Sequence, residues 1–141
     1  MKKACSLFFG TSSCFTDMVA QHLPSPHAAS ASHITKYYTG DRSTDAYKRM
    51  IEMSPEGPAV VEVVKLYNKP DCKTFDCLGR VISGVLKRGR RVRVLGERYS
   101  LEDEEDMAVK NATGLYVYNS RYQIPIKEAF PGNWVLIEGV D

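Results

Sequence analysis

The sequence predicts a mainly β fold, and three observations predict it. Glycines punctuate apolar, β-forming segments between Leu78 and Gly96, at places where a strand has to bend, turn and return. From Arg91 to Val94 basic and apolar residues alternate, so Val92 and Val94 share one face and Arg91 and Arg93 the other. Beyond residue 107 short apolar segments recur at near-regular spacing, the pattern of a small barrel or sandwich.

The elements follow in order. Residues 1–12 carry little pattern. From Ser13, a candidate cap, Phe15, Met18, Val19, His22 and Leu23 recur at helical spacing. Pro24-Ser25-Pro26 predicts the end of that helix, residues 27–32 read as a linker, and Ile34 to Thr39 as a short strand. Ser43-Thr44-Asp45 caps a second short helix carrying Tyr47, Met50 and Ile51, which Pro55-Glu56-Gly57-Pro58 ends. Val60 to Tyr67 is a β-branched run, and a turn from Asn68 to Asp71 leads to a strand from Phe75 to Ser83. That strand, a basic turn closed by Gly89 and a resumption at Arg91 predict a hairpin from Ser83 to Val94. Gly79 suits a bulge or a close backbone approach. Met107 to Ala112, Leu115 to Tyr118, Tyr122 to Ile126 and Trp134 to Glu138 supply further strands, with a turn at Pro131-Gly132-Asn133. Alternation puts Tyr116 and Tyr118 on one face, where packing explains them better than base stacking. The helix closed by prolines reads as a connection, and the last strand runs to the last residues; both predict a module of a longer protein.

Composition narrows the function. A chain of 141 residues with 43% hydrophobic and 26% charged residues is ordinary for one globular domain. A formal charge of +2 does not describe a generic polyanion binder. The charge is uneven, however: residues 87–93 hold Lys87, Arg88, Arg90, Arg91 and Arg93, while residues 102–106 are all acids. Four cysteines without a dense framework predict a reducing compartment. Leu7-Phe8-Phe9 is too short for a signal core, and no run reaches the ~18 apolar residues of a membrane span, so no membrane partner is predicted.

Catalytic motifs fare poorly. There is no G-x-x-x-x-G-K-[ST] phosphate cradle. Asn68-Lys69-Pro70-Asp71 fits the N-K-x-D pattern that reads guanine, but between two strands it is better explained as a hairpin turn. Cys72 with Cys77 and His22 with His27 have no reason to converge on zinc, which needs four ligands. Five consecutive acids are a solvated run, unsuited to the burial that acid–base chemistry requires. No catalytic, cofactor-binding or metal-binding residue is predicted. The candidate interaction surface is Arg80, Lys87, Arg88, Arg90, Arg91 and Arg93, facing protein or RNA phosphate. Two plainer readings stand beside it: a charged strand edge that prevents edge pairing, and neutralisation by the acidic run.

The chain also resembles a known family. His22-Leu23-Pro24-Ser25-Pro26 looks like the connector leaving the GTP-binding domain of elongation-factor-2-type GTPases. Pro55-Glu56-Gly57-Pro58, Gly79-Arg80-Val81 with Ser83-Gly84, Pro131-Gly132-Asn133 and Gly139-Val140-Asp141 resemble, in that order, the second domain of that family. The segments 95–106 and 132–141 are similar to the spliceosomal branch, the GTPases of the U-five small nuclear ribonucleoprotein. The resemblance implies a translation-factor-type closed β-barrel with one or two short peripheral helices. Residues 1–27 would be a connector from a preceding GTP-binding domain and residues 28–141 the barrel. It further implies a non-catalytic domain of a nuclear pre-mRNA splicing GTPase that relays nucleotide state, with GTP and magnesium held in the preceding domain. Implied partners are the adjacent GTP-binding and C-terminal domains, a large spliceosomal scaffold protein, a helicase and small nuclear RNA. The alternatives are the same domain in a ribosomal translocase, or a free-standing RNA-binding β-barrel.

Overall fold

Pro24-Ser25-Pro26 ends one helix, as expected, but Ser25 and Pro26 also start the next. In a computed structural model, which describes residues 2–10, 13–100, 102 and 105–141, Ser25 caps a helix by accepting from the Ala28 amide at 3.2 Å. Pro26 takes the first helical position, where its missing N–H costs nothing. The helices of this first part are α1 (Lys2–Phe9), α2 (Ser13–His22) and α3 (Pro26–Tyr37). The expected linker over residues 27–32 and the strand from Ile34 to Thr39 are therefore corrected to helix α3. Ala28, Ala29 and Ala31 supply helix propensity that outweighs the β-branched Ile34 and Thr35. The chain divides into one compact unit up to Tyr38 and a second from Thr39 to Asp141. No described helix is long and apolar enough to cross a membrane.

The second unit opens with α4 (Asp45–Ile51), capped by Thr44, whose hydroxyl accepts from the Tyr47 amide at 3.3 Å. Met50 on its inner face is 5% exposed, and the helix packs on the second strand. β1 (Val60–Asn68) and β2 (Phe75–Ser83) form an antiparallel hairpin. The Asp71 carboxylate closes its loop by accepting from the amides of Lys73 and Thr74, at 3.0 and 3.3 Å. Asn68-Lys69-Pro70-Asp71 is thus a turn, as expected. Gly79 pairs with Val63 while Leu78 pairs with Lys65, which leaves Val64 as an extra residue in β1. A Cβ at Gly79 would lie 2.7 Å from the Val61 side chain and 2.9 Å from the Glu62 carbonyl oxygen, so the bulge and the close approach occur together.

The hairpin expected from Ser83 to Val94 does not form. Gly84, at φ +65°, turns the chain out of the sheet, and its N–H donates to Ser54 O at 2.7 Å. The next segments find other partners. β3 (Leu86–Lys87) pairs with β8 (Glu128–Ala129), and β4 (Arg91–Leu95) pairs with β5 (Met107–Asn111). β6 (Gly114–Asn119), β7 (Tyr122–Pro125) and β9 (Trp134–Glu138) complete a five-stranded antiparallel sheet in the order β1-β2-β9-β6-β7.

Val81, Leu86, Ala112, Leu115, Ala129 and Val135 form a continuous core lined by all three sheets, with Val92 and Val94 half-buried against it. The mainly β expectation is met. The expected closed barrel with one or two helices is corrected: the described residues form four helices and three separate sheets, and no ladder joins β4 to β1. The register shifts of β1 lie in its ladder with β2, between Val60 and Val61 and between Val63 and Lys65. Of the acidic run, Asp103 and Glu104 lie outside the described residues; Glu102, Glu105 and Asp106 are exposed in the loop joining β4 to β5.

Candidate functional site

Backbone pairing fixes the basic strip. Leu86, 2% exposed, anchors β3 in the core. The Arg88 amide donates to Lys127 O at 2.9 Å, and Gly89, at φ +80°, donates to Ala112 O at 2.6 Å. Ala112 N donates in turn to Arg90 O at 3.0 Å, just before β4 begins. The side chains then separate by role. Lys87 lies 3.8 Å from Glu128 in an exposed pair that contributes little. Arg88 Nε donates to Thr113 O at 2.9 Å. Arg90, Arg91 and Arg93 are exposed and belong to none of the ion pairs found among the described residues.

Arg80 does not join them. It sits in β2 of the five-stranded sheet, directly between Glu62 and Trp134, and its Nε is buried without a hydrogen-bond partner. The acidic run reaches only one end of the strip, at Arg93, which is two residues from Leu95, about 7 Å at ~3.4 Å per residue. It follows the Leu95 end of β4, whereas Arg91 lies four residues away, about 14 Å at ~3.4 Å per residue. That exceeds the ~8 Å Debye length of physiological salt.

A polar cluster escaped the sequence. Lys69, from the β1–β2 loop, bonds the Glu138 carboxylate at the end of β9 and lies 3.4 Å from Asp76. Asp76 Oδ1 is buried, and the Lys69 ammonium at 3.4 Å is the charge that compensates it. Tyr116 donates to the other Glu138 oxygen at 3.0 Å. Tyr67 and Tyr118 pack ring to ring at 5.1 Å, the packing expected of Tyr118. Sixty-nine positions separate Lys69 from Glu138, so no local pattern announces the pair.

The hydrogen bond from Lys69, then that from Tyr116, holds the Glu138 carboxyl below its usual 4.5. The same bond to Glu138 raises Lys69 above its usual 10.5. A depressed carboxylate contributes stability above pH 4.5 and loses it as pH falls through the folded value. Lys69 contributes below pH 10.5 and loses its share only above it. Glu138→Gln is therefore expected to flatten the acid limb of the stability curve. Urea midpoints should fall more steeply between about pH 5 and 3 in the wild type than in the variant; parallel curves would contradict the assignment.

Comparison with known proteins gives a consistent picture. Residues 77–141 match the family described as elongation factor Tu domain 2. Over all 141 residues the chain is 52% identical to two Arabidopsis thaliana proteins, the 109 kDa U5 small nuclear ribonucleoprotein component GFL and the 110 kDa U5 small nuclear ribonucleoprotein component CLO. Over 139 residues, 97% of the chain, it is 42% identical to the pre-mRNA-splicing factor cwf10 of Schizosaccharomyces pombe. The chain spans 14% of the length of each of these relatives.

Proposed function

We propose that the chain is the second domain of a spliceosomal, elongation-factor-2-like GTPase, and the match of residues 77–141 to the elongation factor Tu domain 2 family supports this reading. The observation that carries this reading is similarity over the whole chain to proteins named as U5 small nuclear ribonucleoprotein components and a pre-mRNA-splicing factor. Those names favour splicing over translocation on the ribosome, and a nuclear location goes with them. In this reading residues 1–27 connect from the GTP-binding domain, and residues 28–141 form a barrel-type module.

The module does no chemistry. Its role is to pass the nucleotide state of the neighbouring domain to adjacent domains, to the scaffold protein and to the helicase, which requires contacts that differ between states. GTP and magnesium belong to the preceding domain. The guanine-reading pattern of this chain does not fit a nucleotide: Lys69 is committed to Glu138 and Asp76, and Asp71 to the amides of Lys73 and Thr74. Saturable binding of GTP by the isolated chain in calorimetry would overturn the reading.

The contact surface is the strip at Lys87, Arg88, Arg90, Arg91 and Arg93, with Arg80 as a separate point on β2. Arg90, Arg91 and Arg93 are the cations free to engage a partner, protein or small nuclear RNA. Replacing these three by glutamate in the full-length parent should lower recovery of U5 particle components with the tagged protein about tenfold, since like charges at an interface cost several kcal/mol. Circular dichroism should stay unchanged, because all three side chains are exposed. Undiminished recovery would remove the strip from consideration.

A further inference from the structure

Arg80 lies within the five-stranded sheet, on the face turned away from the core. Cys77, Val81 and Val135 point inward, and Leu78, Arg80 and Leu136 alternate to the outside. A cation held there needs a counter-charge, yet among the described residues no ion pair includes Arg80. Its Nε is buried without a hydrogen-bond partner. The residue as a whole is half-buried, so the two terminal nitrogens are what its guanidinium still shows to solvent. Directly opposite on β9 stands Trp134, 50% exposed and the only tryptophan of the chain. The surroundings are apolar: Ile82 and Leu136, the next outward residues of β2 and β9, are both buried.

We propose that Arg80 and Trp134 form a docking point for a partner protein, which brings a carboxylate to the terminal nitrogens of Arg80 and an apolar side chain to the indole of Trp134. Two parallel hydrogen bonds from guanidinium to carboxylate supply the missing counter-charge, and the apolar surroundings strengthen them. Cross-strand neighbours have Cβ atoms about 5 Å apart. Residues two apart in an extended segment leave one side about 7 Å apart, so one such pair reaches both side chains. Tryptophan and arginine are also the side chains that most often carry the binding energy of an interface. Charge favours a single carboxylate over a chain of phosphates. Glu62, Lys65, Lys69, Asp76, Arg80 and Glu138 share this side of the sheet, three of each sign, and Lys69, Asp76 and Glu138 already engage one another. Glu62, directly opposite Arg80 on β1, repels a run of phosphates. This inference rests on the reading of Arg80 as a contact point and adds the class of partner it meets.

The probe is a capped leucine–alanine–glutamate tripeptide, with glutamine in place of glutamate as the control. Each is titrated into the 141-residue chain and followed by tryptophan emission, which reports Trp134 alone. The glutamate form should shift the emission saturably and bind at least tenfold more tightly than the glutamine form. That comparison uses the unaltered protein, so a misfolded variant cannot decide it. Arg80→Gln should bring the two forms to equal affinity, and Trp134→Ala, followed by calorimetry, should weaken the glutamate form about tenfold. Equal binding of both forms to the wild type, no binding at millimolar peptide, or tighter binding of inorganic phosphate overturns the inference. In the full-length parent, benzoylphenylalanine in place of Trp134 should crosslink under light to a second protein, beside an aspartate or glutamate. Arg80→Gln should lower that yield tenfold. Adducts with RNA, adducts confined to the parent's own domains, or none at all overturn the inference. Failed peptide binding alongside lost particle recovery in the strip variant sinks this inference and leaves the proposed surface standing; specific binding at Arg80 with undiminished recovery does the reverse.

Discussion

Replacing Gly84 by valine is expected to cost at least about 3 kcal/mol of folding stability. The residue sits at φ +65°, where an L side chain pays about 1–2 kcal/mol and a β-branched one more. Space is the second cost. A Cβ at this position would lie 2.6 Å from Ala59 N and closer still to Pro58 O, both backbone atoms that cannot swing aside. Gly89→Val is the built-in control: φ is +80° there, but nothing lies within 4 Å of the added Cβ. Its loss should stay near the conformational cost alone. Urea denaturation of both variants separates the two contributions, and equal losses would show that packing against the 58–59 backbone does not matter.

Leu136→Ala is expected to lose about 2–5 kcal/mol, the range for a large apolar side chain removed from a packed site. Its size would be unremarkable in the main core, but Leu136 is not there. Val135 and Ile137 point to the core shared by the three sheets, and Leu136 lies on the opposite face of β9. It is nevertheless only 1% exposed, paired between Leu78 of β2 and Tyr116 of β6. The five-stranded sheet therefore buries apolar surface on both faces at its centre. Thermal unfolding of the variant tests this: a loss under about 1 kcal/mol would reduce Leu136 to a surface residue.

Strands with a local signature were legible in the sequence. The β-branched run of β1, the alternation of β4 and the apolar run of β9 sit where their residues put them. Gly79 gave away a bulge because a strand glycine has few other uses. Partners were harder. The segment from Ser83 to Val94 has the glycines of a hairpin, yet β3 and β4 pair with strands about forty and more than ten residues further on, a choice set by the shared core and not by the turn. Pro24-Ser25-Pro26 gave the end of α2 but hid the start of α3, because a proline after a helix and one opening the next look alike until the cap at Ser25 is seen. The strip was legible as charge, but not its division. Nothing local tells that Arg88 would bond Thr113 O while Arg90, Arg91 and Arg93 stay exposed.

β9, the last in chain order of the five strands of its sheet, lies third among them. Before β9 has left the ribosome, β1–β2 and β6–β7 are two separate ribbons, each with an inner edge waiting for it. Two-stranded ribbons are marginal in water, so the five-stranded sheet cannot assemble until β9, which ends at Glu138, has been made. Synthesis that stalls before Trp134 leaves two apolar half-sheets and no domain.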